Sequence, residues 1–134
     1  MVKPPEVYRG KKLTIHHCKG ALKSFDKAIS QVEARKRLKD TATIISQIHK
    51  LANEGEEALA LKHFPWEGNL PGKGNKFRAF KRIPIRGYCW NSSRNKSTYY
   101  ISHYIFKDQN KLDASDTDRV QSNWKRIEDD GHEF

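Results

Sequence analysis

A forty-residue stretch of this chain, residues 68–107, contains no carboxylate. Aromatic residues are interleaved there with nine permanent cations: Lys73, Lys76, Arg78, Lys81, Arg82, Arg86, Arg94, Lys96 and Lys107. This composition suits a polyanion, because acidic residues would repel phosphate groups, whereas cations neutralise them and release their counterions. The stretch therefore predicts phosphate binding. The alternative is a solvated basic surface without a specific ligand.

The rest of the chain shares this basic character. Its 134 residues include 26 Lys and Arg against 16 Asp and Glu, which gives a formal net charge of +10. The length favours one domain, residues 1–134, with a single hydrophobic core. We expect residues 1–11 to be a loosely ordered lead-in. We expect residues 129–134 to be an acidic tail, which either screens the basic surface or is a solvated terminus.

Several classes of protein are disfavoured by the same sequence. No run of eighteen apolar residues is present, and the first twelve residues lack the apolar core of a signal peptide, so we expect a cytoplasmic protein with no membrane contact. Cys18 and Cys89 make neither a disulfide framework nor a metal-ligand spacing. His16, His17 and Cys18 are consecutive in a predicted strand, where neighbours point to opposite faces. We therefore expect no metal and no cofactor.

Hydrophobic periodicity predicts a strand and two helices in the first half of the chain. Apolar and polar side chains alternate over residues 13–18, and the segment contains β-branched residues, which is typical of a strand. The first helix carries the apolar stripe Leu22, Phe25, Ile29 and Val32. The second begins at Asp40 or Thr41 and ends at residues 53–55, where Gly55 can take the left-handed C-terminal conformation. Its buried stripe is Ile44, Ile45, Ile48, Leu51 and Ala52. The charged segment 35–39 either separates the two helices or joins them into one.

The second half predicts a hairpin sheet and a closing helix. After an irregular segment at residues 56–75, strands are expected at residues 77–83, 85–90 and 98–106, with a polar connection at residues 91–96. The last strand has a mixed alternation, which indicates a central strand covered on both faces. A helix should follow Asp113 or Ser115 and end before Gly131. The predicted fold is α+β: an N-terminal strand, two helices, a small antiparallel sheet and a C-terminal helix.

This order of elements, with three local patterns, resembles the RelE/ParE/HigB superfamily of bacterial type II toxins. Residues 77–82 are similar to the family's "leu-arg-glu-leu-arg" strand after a glycine-containing loop. Residues 85–90 resemble its "tyr-arg-ile-leu-tyr" strand. Residues 106–111 resemble the "phe-x-lys-lys-thr-gln-lys" strand end that leads into the closing helix. The likeness covers roughly residues 12–128. Departures are Asp108 at a common lysine position, Gly87 after the strand arginine, and the long segment at 56–75.

The resemblance implies a metal-independent endoribonuclease that cleaves messenger RNA on the ribosome. Such cleavage needs a base for the ribose 2′-hydroxyl, cations for the crowded phosphate and an acid for the leaving oxygen. Arg86 matches the strand arginine that would brace the phosphate. Arg78 and Lys81 match basic residues that would orient the scissile group or lower a pKa. His103 and Tyr104 lie where such toxins place a proton-transferring side chain.

Two sets of site residues follow from the resemblance and the charge pattern. The expected catalytic set is Arg86, His103, Tyr104 and Lys81. The remaining cations of the acid-free stretch are expected to bind RNA: Lys73, Lys76, Arg78, Arg82, Arg94, Lys96 and Lys107. The implied partners are messenger RNA, the ribosome and an antitoxin with an acidic segment, which would neutralise the cations and exclude RNA.

Each candidate side chain also has a structural interpretation. Arg86 could be an edge cation, His103 a hydrogen-bonded strand residue, and Tyr104 a core residue. The three tryptophans are expected in the core, and Trp90, at a strand end, is the one best placed to stack on a base.

The fold alone does not choose among functions. A ParE-type toxin that inhibits DNA gyrase without cleaving RNA is one alternative. A basic regulator that only binds nucleic acid is another. The cluster of cations with a histidine and tyrosines on the predicted sheet favours the nuclease.

Overall fold

The computed structural model describes residues 3–72, 75–107 and 112–131. Within these residues the chain forms six strands and three α-helices. The strands are β1 (Val7–Arg9), β2 (Thr14–His17), β3 (Trp66–Asn69), β4 (Lys76–Arg82), β5 (Ile85–Asn91) and β6 (Thr98–Phe106). The helices are α1 (Ala21–Ser30), α2 (Arg37–Glu54) and α3 (Ala114–Trp124), and a π-helical turn, Lys125–Asp129, extends α3.

The six strands form one mixed sheet in the order β1-β2-β6-β5-β4-β3. Every neighbouring pair is antiparallel except β2 and β6, which are parallel. The α+β class and the antiparallel run β4–β5–β6 are confirmed. The prediction of a small antiparallel sheet was wrong in extent, because β1 and β3 extend the sheet at its two edges.

Both edge strands lie in segments that the sequence did not mark as strands. β1 is three residues long and falls within residues 1–11, the expected lead-in. β3 is four residues long and falls within the irregular segment at residues 56–75. Strands this short carry almost no alternation in sequence, so their neighbours β2 and β4 define them through pairing.

One face of the sheet packs against α1 and α2. Phe25 and Ile29 of α1 and Ile44, Ile48 and Leu51 of α2 are fully buried in this cluster. Their spacing of three or four residues lines one side of each helix, as the apolar stripes predict. The two helices are separate, with one 3₁₀ turn at Ala34–Lys36 between them. The charged segment 35–39 therefore does not join the two helices into one.

The other face of the sheet packs against α3. Val120 and Ile127 lie there against Phe77, Tyr88 and Trp90. β6 lies between β2 and β5 and is covered by α1 on one side and α3 on the other, which confirms the prediction of a doubly covered central strand. None of the helices in the described ranges has both the length and the apolar character that crossing a bilayer requires.

Glu128, in the turn that extends α3, ties that helix to the β5–β6 connection. Its carboxylate accepts hydrogen bonds of 2.8 to 3.3 Å from the backbone N–H groups of Ser93 and Arg94, the hydroxyls of Ser92 and Ser93, and the indole N–H of Trp90. Burial alone would raise the pKa of Glu128, but these hydrogen bonds outweigh it and lower the pKa below the ordinary 4.5. Glu128 therefore has a structural role, although it directly precedes residues 129–134, which were expected to be an acidic tail.

We expect Glu128→Gln to lower the free energy of unfolding by about 1–3 kcal/mol, because an amide –NH₂ would face donors that now bind a charged acceptor. Asp129→Asn, an exposed neighbour, is the matched control and should change stability by less than about 0.5 kcal/mol. Urea denaturation of the wild type and both variants at neutral pH measures the difference. Equal losses in the two variants would contradict this role of Glu128.

The same contact predicts a pH dependence of stability. A carboxyl whose folded-state pKa is lowered stabilises the fold above its unfolded pKa, and this stabilisation is lost as the pH falls through the folded value. The stability difference between wild type and Glu128→Gln should therefore be full at neutral pH. It should shrink as the pH falls below 4.5, which denaturation at several pH values measures.

Candidate functional site

The strand register sorts the expected catalytic residues onto two faces of the sheet. Lys81 lies opposite Arg86, and Tyr88 lies opposite His103. Residues that lie directly opposite each other, or two apart on one strand, share a face, so these four side chains lie on the α3 side. Tyr104 follows His103 and points to the other face, among the residues packed on α1. The structure thus brings Lys81, Arg86 and His103 to one face and separates Tyr104 from them.

Tyr104 lies in the core beneath α1. Its ring packs edge-on against Phe25, with ring centroids 5.0 Å apart. The Nδ1–H of His17 donates to the Glu6 carbonyl at 3.3 Å, so the Tyr104 hydroxyl donates to Nε2 of His17 at 2.6 Å. Burial raises the pKa of Tyr104 well above its ordinary value and lowers the pKa of His17 to about 4. The pair is therefore neutral at pH 7.

Gly87 is the residue that makes room for this tyrosine. A Cβ at Gly87 would lie 2.6 Å from the Tyr104 ring, closer than any side chain can pack. The departure of Gly87 from the toxin pattern therefore has a packing reason.

His103 is 0% exposed and belongs to a hydrogen-bonded chain between β6 and α3. Its Nε2–H donates to Asp116 Oδ1 at 3.0 Å, and its Nδ1 accepts from the Ser102 hydroxyl at 2.8 Å. Asn123 Nδ2 donates in turn to Ser102 Oγ at 2.8 Å. The Ser–His–Asp series has the residue types of a nucleophile and its base. Ser102 is fully buried, however, so this chain joins α3 to the sheet rather than meeting a substrate.

Arg86 is 2% exposed and forms an ion pair with Glu67, with Nη1 3.4 Å from Oε1. Glu67 lies on this face by ordinary strand alternation, because the preceding Trp66 pairs with Arg78 on the other face. A bulge follows, since Gly68 pairs with Phe77 and Glu67 is left as the extra residue. Sequence reasoning missed Glu67. It is the last carboxylate before the acid-free stretch, and that position was the one available signal for it.

The pKa of Glu67 is raised above the ordinary 4.5 by burial, and the positive charges of Arg86, Lys81 and Lys107 offset part of that increase. Lys107 anchors its backbone to the Pro84 carbonyl at 2.6 Å, and its Nζ is buried without a hydrogen-bond partner among the residues described. We call Glu67, Lys81, Arg86 and Lys107 the Glu67 site. It combines one carboxyl group of raised pKa with three cations that can hold a phosphate.

The remaining cations expected to bind RNA are divided among other places. Lys76, Arg94 and Lys96 are exposed at the far end of the sheet, around the β5–β6 connection. Arg82 lies on the α2 side and pairs with the buried Asp40 at 3.0 Å. Lys73 lies outside the described residues. The predicted RNA-binding set is therefore not one continuous surface, and its role in binding remains a prediction.

Arg78 is almost fully buried and holds an exposed tryptophan. Its Nε and Nη2 donate to the Phe64 carbonyl at 3.1 and 2.7 Å. Its guanidinium carbon lies 4.0 Å from the centroid of the Phe64 ring and 4.3 Å from that of Trp66. Trp66 is 53% exposed, whereas Trp90 is fully buried. The expectation that Trp90 is a core residue is confirmed, so Trp90 is not available to stack on a base. The same expectation for Trp66 was wrong, because the edge strand β3 leaves Trp66 in solvent.

The two N-terminal histidines lie on opposite faces, as strand alternation predicts. His17 contacts Tyr104, and His16 packs against Tyr100 with ring centroids 5.5 Å apart. In the part of the chain that the structure covers, no group of three or more His, Cys, Asp or Glu side chains is arranged to hold a metal ion.

Comparison with protein-family models, with curated proteins and with solved structures found no match to this chain. The functional argument therefore rests on the residues and geometry of this chain.

Proposed function

We propose that this protein is the toxin of a type II toxin–antitoxin system and cleaves messenger RNA on the ribosome without a metal ion. The observation that carries the proposal is the Glu67 site, in which a carboxyl of raised pKa lies among Lys81, Arg86 and Lys107. A base and several cations around one phosphate are what metal-independent RNA cleavage requires.

In this proposal Glu67 is the general base. It takes the proton of the ribose 2′-hydroxyl, the oxygen attacks the adjacent phosphorus, and the bond to the 5′-oxygen breaks. The products are a 2′,3′-cyclic phosphate and a free 5′-hydroxyl, which receives its proton from a lysine ammonium or from protonated Glu67. Arg86 holds Glu67 in place, and Lys81 and Lys107 stabilise the charge that develops on the phosphate.

Glu67 suits this role better than the two residues expected from the sequence. The side chain of Glu67 is 11% exposed, whereas His103 is 0% exposed and Tyr104 lies in the core on the other face. A general base must come within hydrogen-bonding distance of the proton it removes. His103 would then stabilise the sheet beneath the site through Asp116, and Tyr104 would stabilise the packing of α1.

The partners follow from the same charges. The exposed Lys76, Arg94 and Lys96 would bind the RNA backbone or the ribosome, and an acidic antitoxin segment would compete for these cations. We expect a cytoplasmic location, where messenger RNA and ribosomes are present.

A second candidate is a protein that acts by binding alone. The near-complete burial of Arg86 and His103 favours it, because buried side chains that already have partners within the protein need no substrate to explain them. The binding target would be nucleic acid, or DNA gyrase as in ParE-type toxins.

Inducible expression in a bacterial host, followed by mapping of RNA ends, tests the proposal. We expect growth arrest with cuts inside translated codons. Glu67→Gln should lower cleavage by about 10²- to 10⁴-fold, because the amide cannot accept the proton. Glu57→Gln, an exposed carboxylate away from the site, is the control and should cleave normally.

Other outcomes would replace the proposal. Arrest with intact RNA and broken DNA held by gyrase would indicate a gyrase inhibitor. Binding of RNA without arrest would indicate the nucleic-acid-binding protein. Full cleavage by Glu67→Gln would remove Glu67 from the mechanism.

The raised pKa of Glu67 gives the reaction a pH dependence. A general base acts in its deprotonated form, so the cleavage rate should rise with pH through the pKa of Glu67, which lies above 4.5. The measurement is the rate of cleavage of translated messenger RNA by purified protein at a series of pH values. Glu67→Gln should lose this ascending limb, and an unchanged limb would assign the titration to another group.

The cations of the Glu67 site should differ in whether they contribute to stability or to cleavage. Arg86→Ala leaves Glu67 without its buried partner and should destabilise the fold by about 3–5 kcal/mol. Lys81→Ala should leave the melting temperature nearly unchanged and still reduce cleavage, because Lys81 is only half-buried. Lys19→Ala, an exposed lysine outside the site, is the control. Normal cleavage by Lys81→Ala would contradict its place in the site.

A further inference from the structure

The exposed ring of Trp66 forms part of a cleft at the β3 edge of the sheet, outside the Glu67 site. The cleft has a volume of about 530 Å³, and its walls include Trp66, Lys76, Arg78, Asn91 and Trp124. It therefore combines two indole rings, two cations and the side-chain amides of Asn75 and Asn91. Its one carboxylate, Glu56, accepts a hydrogen bond from the Tyr99 hydroxyl at 2.6 Å.

Trp66 is held rigidly although it is exposed. The guanidinium of Arg78 lies over its ring, and two hydrogen bonds to the Phe64 carbonyl fix that guanidinium. A cation over an indole face is a stabilising contact that also fixes the plane of the ring. Arg78 covers one face, and since 53% of Trp66 remains exposed, the open surface is the opposite face and the ring edges. Trp66 is thus a preorganised aromatic platform.

We propose that Trp66 stacks an unpaired base of single-stranded RNA. Base–aromatic stacking needs an open ring face on the protein and a base that is free of a duplex, and an exposed tryptophan is the usual protein partner. Lys76, exposed at the start of β4, contacts the phosphate of the same nucleotide. Asn91, exposed at the end of β5, is one of the polar side chains of the cleft and contacts the base edge.

The inference rests on the proposed function and assigns a substrate contact next to the Glu67 site. Trp66 and Glu67 are consecutive residues of β3, and they point to opposite faces of the sheet. β3 is an edge strand, so no further strand separates the two faces at this point. An RNA strand that crosses this edge places a base on Trp66 and a neighbouring phosphate at Glu67. Base preference at the cut is therefore set at Trp66.

Binding of single-stranded RNA hexamers to the full chain, measured by fluorescence anisotropy, tests this contact. Trp66→Ala should weaken binding by about 5- to 150-fold, the range found for loss of one stacked base. Trp66→Phe should retain most of the affinity because it keeps a ring. Leu61→Ala removes another exposed apolar side chain, outside the cleft, and should bind like the wild type. The salt dependence should stay the same in all variants, since no charge is removed.

Two results would overturn the inference. One is equal affinity of Trp66→Ala and wild type. The other is an equal loss of affinity for the same RNA sequence in a duplex, where its bases are not available for stacking. Thermal unfolding of each variant verifies that the fold is intact.

A second measurement follows tryptophan fluorescence instead of affinity. Trp66→Phe keeps a ring and most of the affinity, so the RNA-induced quenching that is present in the wild type and lost in Trp66→Phe reports on Trp66. We expect quenching by single-stranded hexamers, and its absence would contradict stacking.

Binding and cleavage can fail separately. Trp66-dependent binding by a protein that cuts no RNA in cells would remove the nuclease and keep the stacking contact. Normal cleavage and normal base preference in Trp66→Ala would keep the nuclease and remove the stacking contact.

Discussion

β6 is covered by α1 on one face and by α3 on the other, and β5 beside it is buried except at its last residue, so each buried polar side chain along them needs a partner within the protein. His103 meets this requirement with Asp116 and Ser102, and Tyr104 meets it with His17. Arg86 carries a charge that cannot be neutralised by losing a proton, and its buried position therefore needs an acid close by. The arrangement of side chains on the α3 face therefore depends on placing an acid next to Arg86.

The acid is Glu67 of β3, and its position beside Arg86 creates the candidate site. Strand alternation turns Glu67 toward Arg86, and burial at that position raises the pKa of Glu67. One arrangement therefore neutralises a buried arginine and leaves a carboxyl able to exchange protons, with Lys81 and Lys107 beside it. The structural role of Glu67 and its proposed chemical role therefore have the same physical origin, which is the burial of opposite charges at the edge of the sheet.

The acid-free stretch of the sequence, residues 68–107, does not form an acid-free surface in the folded protein. Carboxylates from distant segments approach it: Asp40 pairs with Arg82, Glu67 with Arg86, Asp116 with His103, and Glu128 with the β5–β6 connection. Arg78 is used to hold Trp66. Among the described cations of this stretch, Lys76, Arg94 and Lys96 remain exposed, and they lie at one end of the sheet, where a polyanion can reach them.

The sequence by itself determined the α+β class, both long helices, the closing helix, the run β4–β5–β6 and the double coverage of β6, because each leaves a periodic pattern over many residues. Only the tertiary structure decided the two short edge strands, the faces on which Arg86 and Tyr104 lie, and the roles of Glu67 and Trp66. An edge strand of three or four residues has no periodic signal, and the face on which each side chain lies is fixed by the register between paired strands. β1 is defined by its pairing with β2 and β3 by its pairing with β4, and these pairings exist only in the folded sheet.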